Sequence, residues 1–303
     1  MKNRSKLTTA LTGLVTLLAL GLTLGPIVEA KTVSAVAVST VVGWWKFDDP
    51  AGVLATDASG YGNTGQLYGF AYMTSDATMG TKLTIADGEG KMLVPYNTML
   101  EPEKGTIALW FNTPEIRDMD LLHHTSDLLT RTNVPGSWLV YGVRIEADGA
   151  ICGIILEDVD EYRRWVFVRT LPGVATVNEW HNVAFRWDGT SAALYVNGKL
   201  HAAKPYTPVP GTGLSYSGAF PVAVGLGSFW EGLPGSEHEF IGSLADIRIY
   251  NGALTESDIQ SLYLAHGTMA LKTNPSSGPV LLNKATPTTQ PTTPIRLGGK
   301  SKR

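Results

Sequence analysis

Four stretches of this sequence bring together side chains that could do chemistry. Asp57-Ala58-Ser59-Gly60-Tyr61-Gly62-Asn63 packs oxygen donors and glycines into a turn. Glycines let backbone carbonyls converge, and Asp57 and Asn63 add hard side-chain oxygens, a combination that suits Ca²⁺. Asp48 and Asp49 lie close by in sequence. The same composition also builds an Asx-rich turn closed by its own backbone hydrogen bonds. Glu157-Asp158-Val159-Asp160-Glu161 is a run of acids. If it is strand, Glu157, Val159 and Glu161 share one face and Asp158 and Asp160 the other. Arg117 to Asp127 holds five possible metal ligands, among them His123 and His124, but adjacent residues of a strand point opposite ways and no zinc spacing is present. A surface loop is the expectation there. Gly227 to Glu239 is a long loop with Gly and Pro that carries Trp230 among polar acceptors. An aromatic on such a loop is a candidate ligand platform, or else a lid on the core. Tyr61, Tyr68 and Trp138 are further candidates.

The elements that must position these groups read as β. Trp45/Phe47, Ile107/Leu109/Phe111, Trp165/Phe167 and Leu194/Val196 alternate with other residues at period 2, the signature of half-buried strands. Gly and Pro turns recur at short intervals, as in a sandwich or barrel. Asn197-Gly198 is a two-residue hairpin signal, because both central positions of that turn require positive φ. One helix is expected: Thr255 is its N-cap, Asp258 follows three residues on, and Ile259, Leu262 and Tyr263 fall at helical spacing. Trp44 and Trp45, being adjacent in a strand, cannot both belong to one core layer.

Composition sets further bounds on the 303 residues. Lys2, Arg4 and Lys6 precede an apolar run from Leu11 to Leu24, and Val28-Glu29-Ala30 offers a small-residue cleavage site, so residues 1–30 read as a signal peptide. Cys152 is the only cysteine and sits in an apolar run, which suits a buried thiol. Residues 31–266 carry 15 basic and 26 acidic side chains, a net charge of −11. That balance argues against nucleic acid as a partner and is compatible with neutral glycans or divalent cations. Residues 267–303 hold six basic side chains and no acid in a Thr/Pro-rich run, expected to be a disordered tail.

Trp45-Lys46-Phe47-Asp48-Asp49 running on to Gly65, Glu179-Trp180-His181-Asn182-Val183-Ala184 leading to Asn197-Gly198, and Ile241-Gly242-Ser243-Leu244-Ala245-Asp246-Ile247-Arg248-Ile249-Tyr250 occur in this order. Together they resemble the LamG-like jelly-roll family of the concanavalin A-like lectin/glucanase superfold, over residues 41–266. The resemblance implies an all-β, two-sheet antiparallel jelly-roll sandwich with one short C-terminal helix. It implies a calcium site formed by the Asp57 loop and an acidic pair on the last strand. That pair reads Ala245-Asp246 here, so the set is Asp57, Asn63 and Asp246, with Asp48 and Asp49 able to compensate. Trp180 becomes a core residue with His181 packing beside it, and Asn182 stands where the motif usually has a second histidine. Laminarinase-like hydrolases of the superfold carry Glu, Asp and Glu at i, i+2 and i+4, whereas Val159 holds the middle position here. The strand motifs of alginate-type lyases are absent. The expectation is therefore a secreted, non-catalytic module that binds extracellular glycans or glycoproteins with calcium assistance, through Trp230, Tyr61 and Trp138. A structural envelope or matrix role is the alternative, and a polysaccharide hydrolase using Glu157 and Glu161 a lesser one.

Overall fold

The computed structural model describes residues 39–127, 137–159, 162–206, 213–216, 219–226 and 239–272. The leader, Trp230, Glu161 and residues 273–303 of the expected tail lie outside the described residues. In chain order the strands are β1 (Thr40–Trp45), β2 (Leu54–Ala55), β3 (Gly65–Tyr68), β4 (Ala71–Asp76), β5 (Gly80–Ile85), β6 (Lys91–Val94), β7 (Gly105–Asn112) and β8 (Met119–Asp127). They continue as β9 (Ser137–Ile145), β10 (Ile151–Val159), β11 (Tyr162–Arg169), β12 (His181–Trp187), β13 (Ser191–Val196), β14 (Lys199–Pro205), β15 (Val222–Val224) and β16 (Gly242–Asn251). Helix α1 (Glu256–Lys272) follows.

The strands form two antiparallel sheets. Sheet A runs β14-β13-β12-β7-β16-β5-β4, with β1 also paired to β16; sheet B runs β11-β10-β9-β8-β15-β6-β3-β2. The residues between the sheets form one large apolar core. Trp45, Phe111, Phe185 and Trp187 enter it from sheet A, and Met92, Tyr141 and Ile155 from sheet B. The polar ends of its large rings are satisfied. Trp45 Nε1 donates to Asn63 O at 2.8 Å, Trp187 Nε1 to Pro102 O at 3.3 Å and Tyr141 Oη to Leu100 O at 2.8 Å. Gly153 of β10 faces this core. A Cβ there would lie 2.2 Å from Phe185 Cδ2. Gly153→Ala is therefore expected to destabilise the protein by about 1–3 kcal/mol through overpacking, lowering the melting temperature by roughly 3–10 °C in calorimetry.

Local chemistry acts where the sequence puts it. Asn197 and Gly198 both have positive φ, 51° and 73°, and join β13 to β14 in a tight hairpin. Thr255 Oγ1 accepts from Asp258 N at 3.2 Å while Asp258 Oδ2 accepts from Thr255 N at 3.1 Å, a reciprocal cap that starts α1. The helix runs to Lys272, six residues beyond His266 and into the stretch expected to be tail. Gly267 to Lys272 contains no proline, the first being Pro275, so nothing in the chain stops the helix earlier.

Two expectations about strands are corrected. Residues 119–127 form a strand, β8, rather than a surface loop. Its register shifts between Asp120 and Leu122 let Leu121 and Leu122 both enter the core. On β11, Trp165 and Phe167 do not face the core. Val166 and Val168 do, because their smaller side chains fit between the sheets.

Helix α1 covers the outer face of sheet A. Ile259 and Leu262 pack on Ala108, Ala184, Ala193 and Tyr195. Trp110 meets the Tyr263 ring at 5.6 Å and the His266 ring at 5.2 Å. Among the described residues, the apolar cluster on the outer face of sheet B contains only that sheet's own side chains: Leu139, Cys152, Ile154 and Trp165.

Candidate ligand-binding site

Most of the residues expected to bind calcium are present as expected but engaged elsewhere. Asp57 is 8% exposed, and each of its oxygens takes two hydrogen bonds. Oδ1 accepts from Trp44 N at 2.9 Å and Ser59 N at 2.8 Å; Oδ2 accepts from Ser59 Oγ at 2.7 Å and Asn63 N at 2.8 Å. Asn63 Oδ1 accepts from Asn97 Nδ2 at 2.7 Å, and Asn63 Nδ2 donates to Val42 O at 2.6 Å. Asp49 Oδ2 accepts from Thr56 N at 2.9 Å. Calcium needs six to eight oxygens aimed at one point. These oxygens are aimed at N–H and O–H donors instead.

Asp246 joins a different group. A bulge in β16 against β7, with Asp246 at φ 46°, puts Ala245 and Asp246 both on the outer side of sheet A. Ala245 packs against Trp110 and Tyr263, where the family pattern has an acid. Asp246 accepts from Trp44 Nε1 at 2.7 Å and from Arg248 at 2.9 and 3.0 Å. The Arg248 guanidinium also lies 4.4 Å from the centre of the Trp44 ring. Burial works to raise the Asp246 pKa, but His266, Arg248 and the indole outweigh it and hold the carboxyl below its ordinary value. Asp57 and Asp246 thus meet opposite ends of Trp44, its amide and its indole. The four oxygen ligands do not fit a calcium cage.

The other expectations divide. His181 is buried and has a packing role, as expected, but Trp180, expected in the core, is half-buried against Met79, Trp110 and Ala245 on the outer side of sheet A. The His181 ring lies 5.3 Å from Phe111, its Nε2 accepts from Thr176 N at 3.1 Å, and burial lowers its pKa. Cys152 is buried, and burial pushes its thiol up to about 12, so it is no nucleophile. Glu157 is almost fully buried and accepts from Arg164 Nε at 2.8 Å, on the core side of sheet B. Tyr61 is exposed, on the Asp57 loop. Trp138 lies on β9, but its side chain is outside the described residues.

The arrangement with ligand-binding chemistry lies on the outer face of sheet B, and sequence reading missed it. Period 2 on edge strand β11 brings Trp165, Phe167 and Arg169 to that face. Phe167 is 44% exposed, and its ring lies 5.8 Å from Trp165 with planes 23° apart. Rings near-parallel at that separation are laterally offset, so they make two steps of one slanted surface. Opposite Arg169 stands Cys152, and opposite that Arg144, which in turn faces Asp120 on β8. Arg169 donates through Nε to Glu146 and through Nη2 to Asp148. Arg144 Nη2 donates to the other Glu146 oxygen at 3.2 Å. Burial opposes ionisation of Glu146, but the two guanidiniums prevail and hold its carboxyl below the ordinary range. The result is an aromatic step beside a fixed set of hydrogen-bonding groups. The signal available in the sequence is the Trp165-x-Phe167-x-Arg169 alternation, whose core-facing partners are Val166 and Val168.

A family model for the concanavalin A-like lectin/glucanases superfamily matches residues 86–260. Among solved structures, domain 4 of the extracellular GH43 arabinanase AbnA from Geobacillus stearothermophilus, in complex with arabinotriose, is similar with a TM-score of 0.51 and 16% identity, over 74% of this chain and 98% of that one. The binding domain of Paraclostridial Mosquitocidal Protein 1 is similar at 0.53 and 15%, over 75% of this chain and 52% of that one. The binding domain of botulinum neurotoxin DC in complex with SialylT is similar at 0.51 and 13%, over 75% and 52%. The chain thus spans about half the length of the two toxin domains. No curated protein sequence matches it.

Proposed function

Since this chain belongs to the concanavalin A-like lectin/glucanases superfamily, we propose that it is a non-catalytic glycan-binding module acting outside the cytoplasm, with its ligand on the outer face of sheet B. The observation that carries this reading is the exposed Phe167 ring, stepped on Trp165 and flanked by Arg169, Glu146 and Asp148. The apolar C–H face of a sugar stacks on such a ring, while its hydroxyls exchange hydrogen bonds with the adjoining carboxylates and guanidiniums. A shallow, wet site of this kind gives affinities on the order of micromolar to millimolar. A non-catalytic role is supported by the similar solved structures that are themselves binding domains, and Glu157 is held by Arg164 on the core side of the sheet. An extracytoplasmic setting is supported by the leader-like residues 1–30 and by the arabinanase, itself described as extracellular. Calcium plays no part in this reading, because Asp57 and Asp246 already hold other partners.

The test is binding of the purified protein to a broad glycan array, with calcium and again with EDTA. Binding to a defined subset of glycans, unchanged by EDTA, is the expected result. Binding that disappears in EDTA would return the site to the Asp57 loop. Silence in both conditions would turn the assignment toward a structural envelope or matrix role.

A further inference from the structure

We infer that this face selects neutral glycans and rejects sugars that carry a carboxylate. The inference rests on the reading of the Phe167 face as the glycan site and names the ligand class that site accepts. An acidic sugar is normally held by a guanidinium that grips its carboxylate with two parallel N–H groups. Among the described side chains, Arg169 is the arginine beside Phe167, and the edge it would use for that grip, Nε and Nη2, is already taken by Glu146 and Asp148. Its Nη1 points to Thr170 O at 3.4 Å. Arg144, the next cation inward, donates to Glu146 and lies opposite Asp120. Among the described residues, two arginines therefore stand against three carboxylates: Asp120, Glu146 and Asp148. A ligand carboxylate would enter a patch that is already net negative, on a body whose residues 31–266 carry −11. A neutral sugar meets no such repulsion, and a carboxylate oxygen that already accepts one hydrogen bond keeps a second lone pair to which a sugar hydroxyl can donate.

Asp148 and Glu146 are thus specificity-determining residues that act by occupying Arg169. Asp148 is well exposed, with 45% of its side chain accessible, so Asp148→Asn leaves packing intact. Glu146→Gln/Asp148→Asn goes further and releases the whole grip of Arg169. The experiment titrates the parent and both variants with matched pairs of oligosaccharides, each neutral sugar against its uronate or sialic acid counterpart. It is run at low salt and at 0.5 M NaCl, with melting curves confirming that each variant is folded. In the parent, the acidic member of each pair is expected to bind at least tenfold more weakly at low salt, with the gap narrowing at high salt. The ratio of acidic to neutral affinity should rise about tenfold in the double variant and severalfold in Asp148→Asn. A parent that binds acidic sugars as well as neutral ones, or a ratio unmoved in both variants, overturns the selectivity while leaving glycan binding in place. Binding of no sugar of either kind overturns both.

Discussion

Phe167→Ala is expected to weaken glycan binding by 10- to 100-fold, roughly 1.4–2.8 kcal/mol, while leaving the melting temperature within about 2 °C of the parent. The two effects separate because Phe167 contributes little to the core. The core-facing residues of β11 are Val166 and Val168, and the Phe167 ring touches Trp165 on the outer face. Loss of the ring removes the surface on which a sugar stacks and leaves the strand pairing with β10 intact. Phe167→Tyr keeps the stacking face and should retain most of the affinity. Titration calorimetry with a glycan identified on the array reads both changes. Full affinity in Phe167→Ala would move the site away from β11.

Asp57→Ala is expected to cost about 3–5 kcal/mol, a fall in melting temperature on the order of 10 °C, although Asp57 belongs to no catalytic or core cluster. Its carboxylate ties three segments together: strand β1 through Trp44 N, the turn through Ser59, and the return to β3 through Asn63 N. Removing the acceptors leaves the Trp44 and Asn63 amides without partners in a largely buried place, and each such loss costs about 1–3 kcal/mol. Asp57→Asn should cost less, since one oxygen remains to accept. Denaturant unfolding with an unchanged m-value would attribute the effect to stability alone. Adding calcium or EDTA to the parent should move its melting point by less than about 1 °C, because a ligand stabilises only in proportion to its binding of the folded state. A calcium-dependent rise of several degrees would show that the loop holds a metal.

These residues show where sequence legibility ends. The hairpin at Asn197-Gly198 and the cap at Thr255-Asp258 were readable because their chemistry is local, closing over two to four residues. The alternation of β11 was readable too, but not its phase. Trp165 and Phe167 are as apolar as Val166 and Val168, and hydrophobicity alone does not choose between them. What chooses is width: the space between the sheets is already filled by Phe185, Trp187 and Tyr141, and the larger rings of β11 go outside. The Asp57 loop posed a different problem. Its composition suits a metal site and an Asx turn equally, and the decision lies with Trp44 N and Asn97 Nδ2, whose approach depends on the fold rather than on the motif. Helix α1 was visible from its cap, yet its length was not, since the end of a helix depends on what the chain meets next.

The position of β16 has a consequence for how the molecule is made. This strand comes last of the sixteen, yet it pairs with β1, β5 and β7 and so lies inside sheet A rather than at its edge. Its partner β1 is the first, and Thr40 pairs with Asn251, about two hundred residues away. Until β16 has been synthesised, sheet A is a β4–β5 hairpin, a separate group of β7 and β12 to β14, and an unpaired β1. These pieces are not joined to one another within the sheet. A growing chain therefore cannot complete sheet A before β16 is made. Completing sheet A is thus expected to be a late step of folding, limited by the closure of the long loop between β1 and β16.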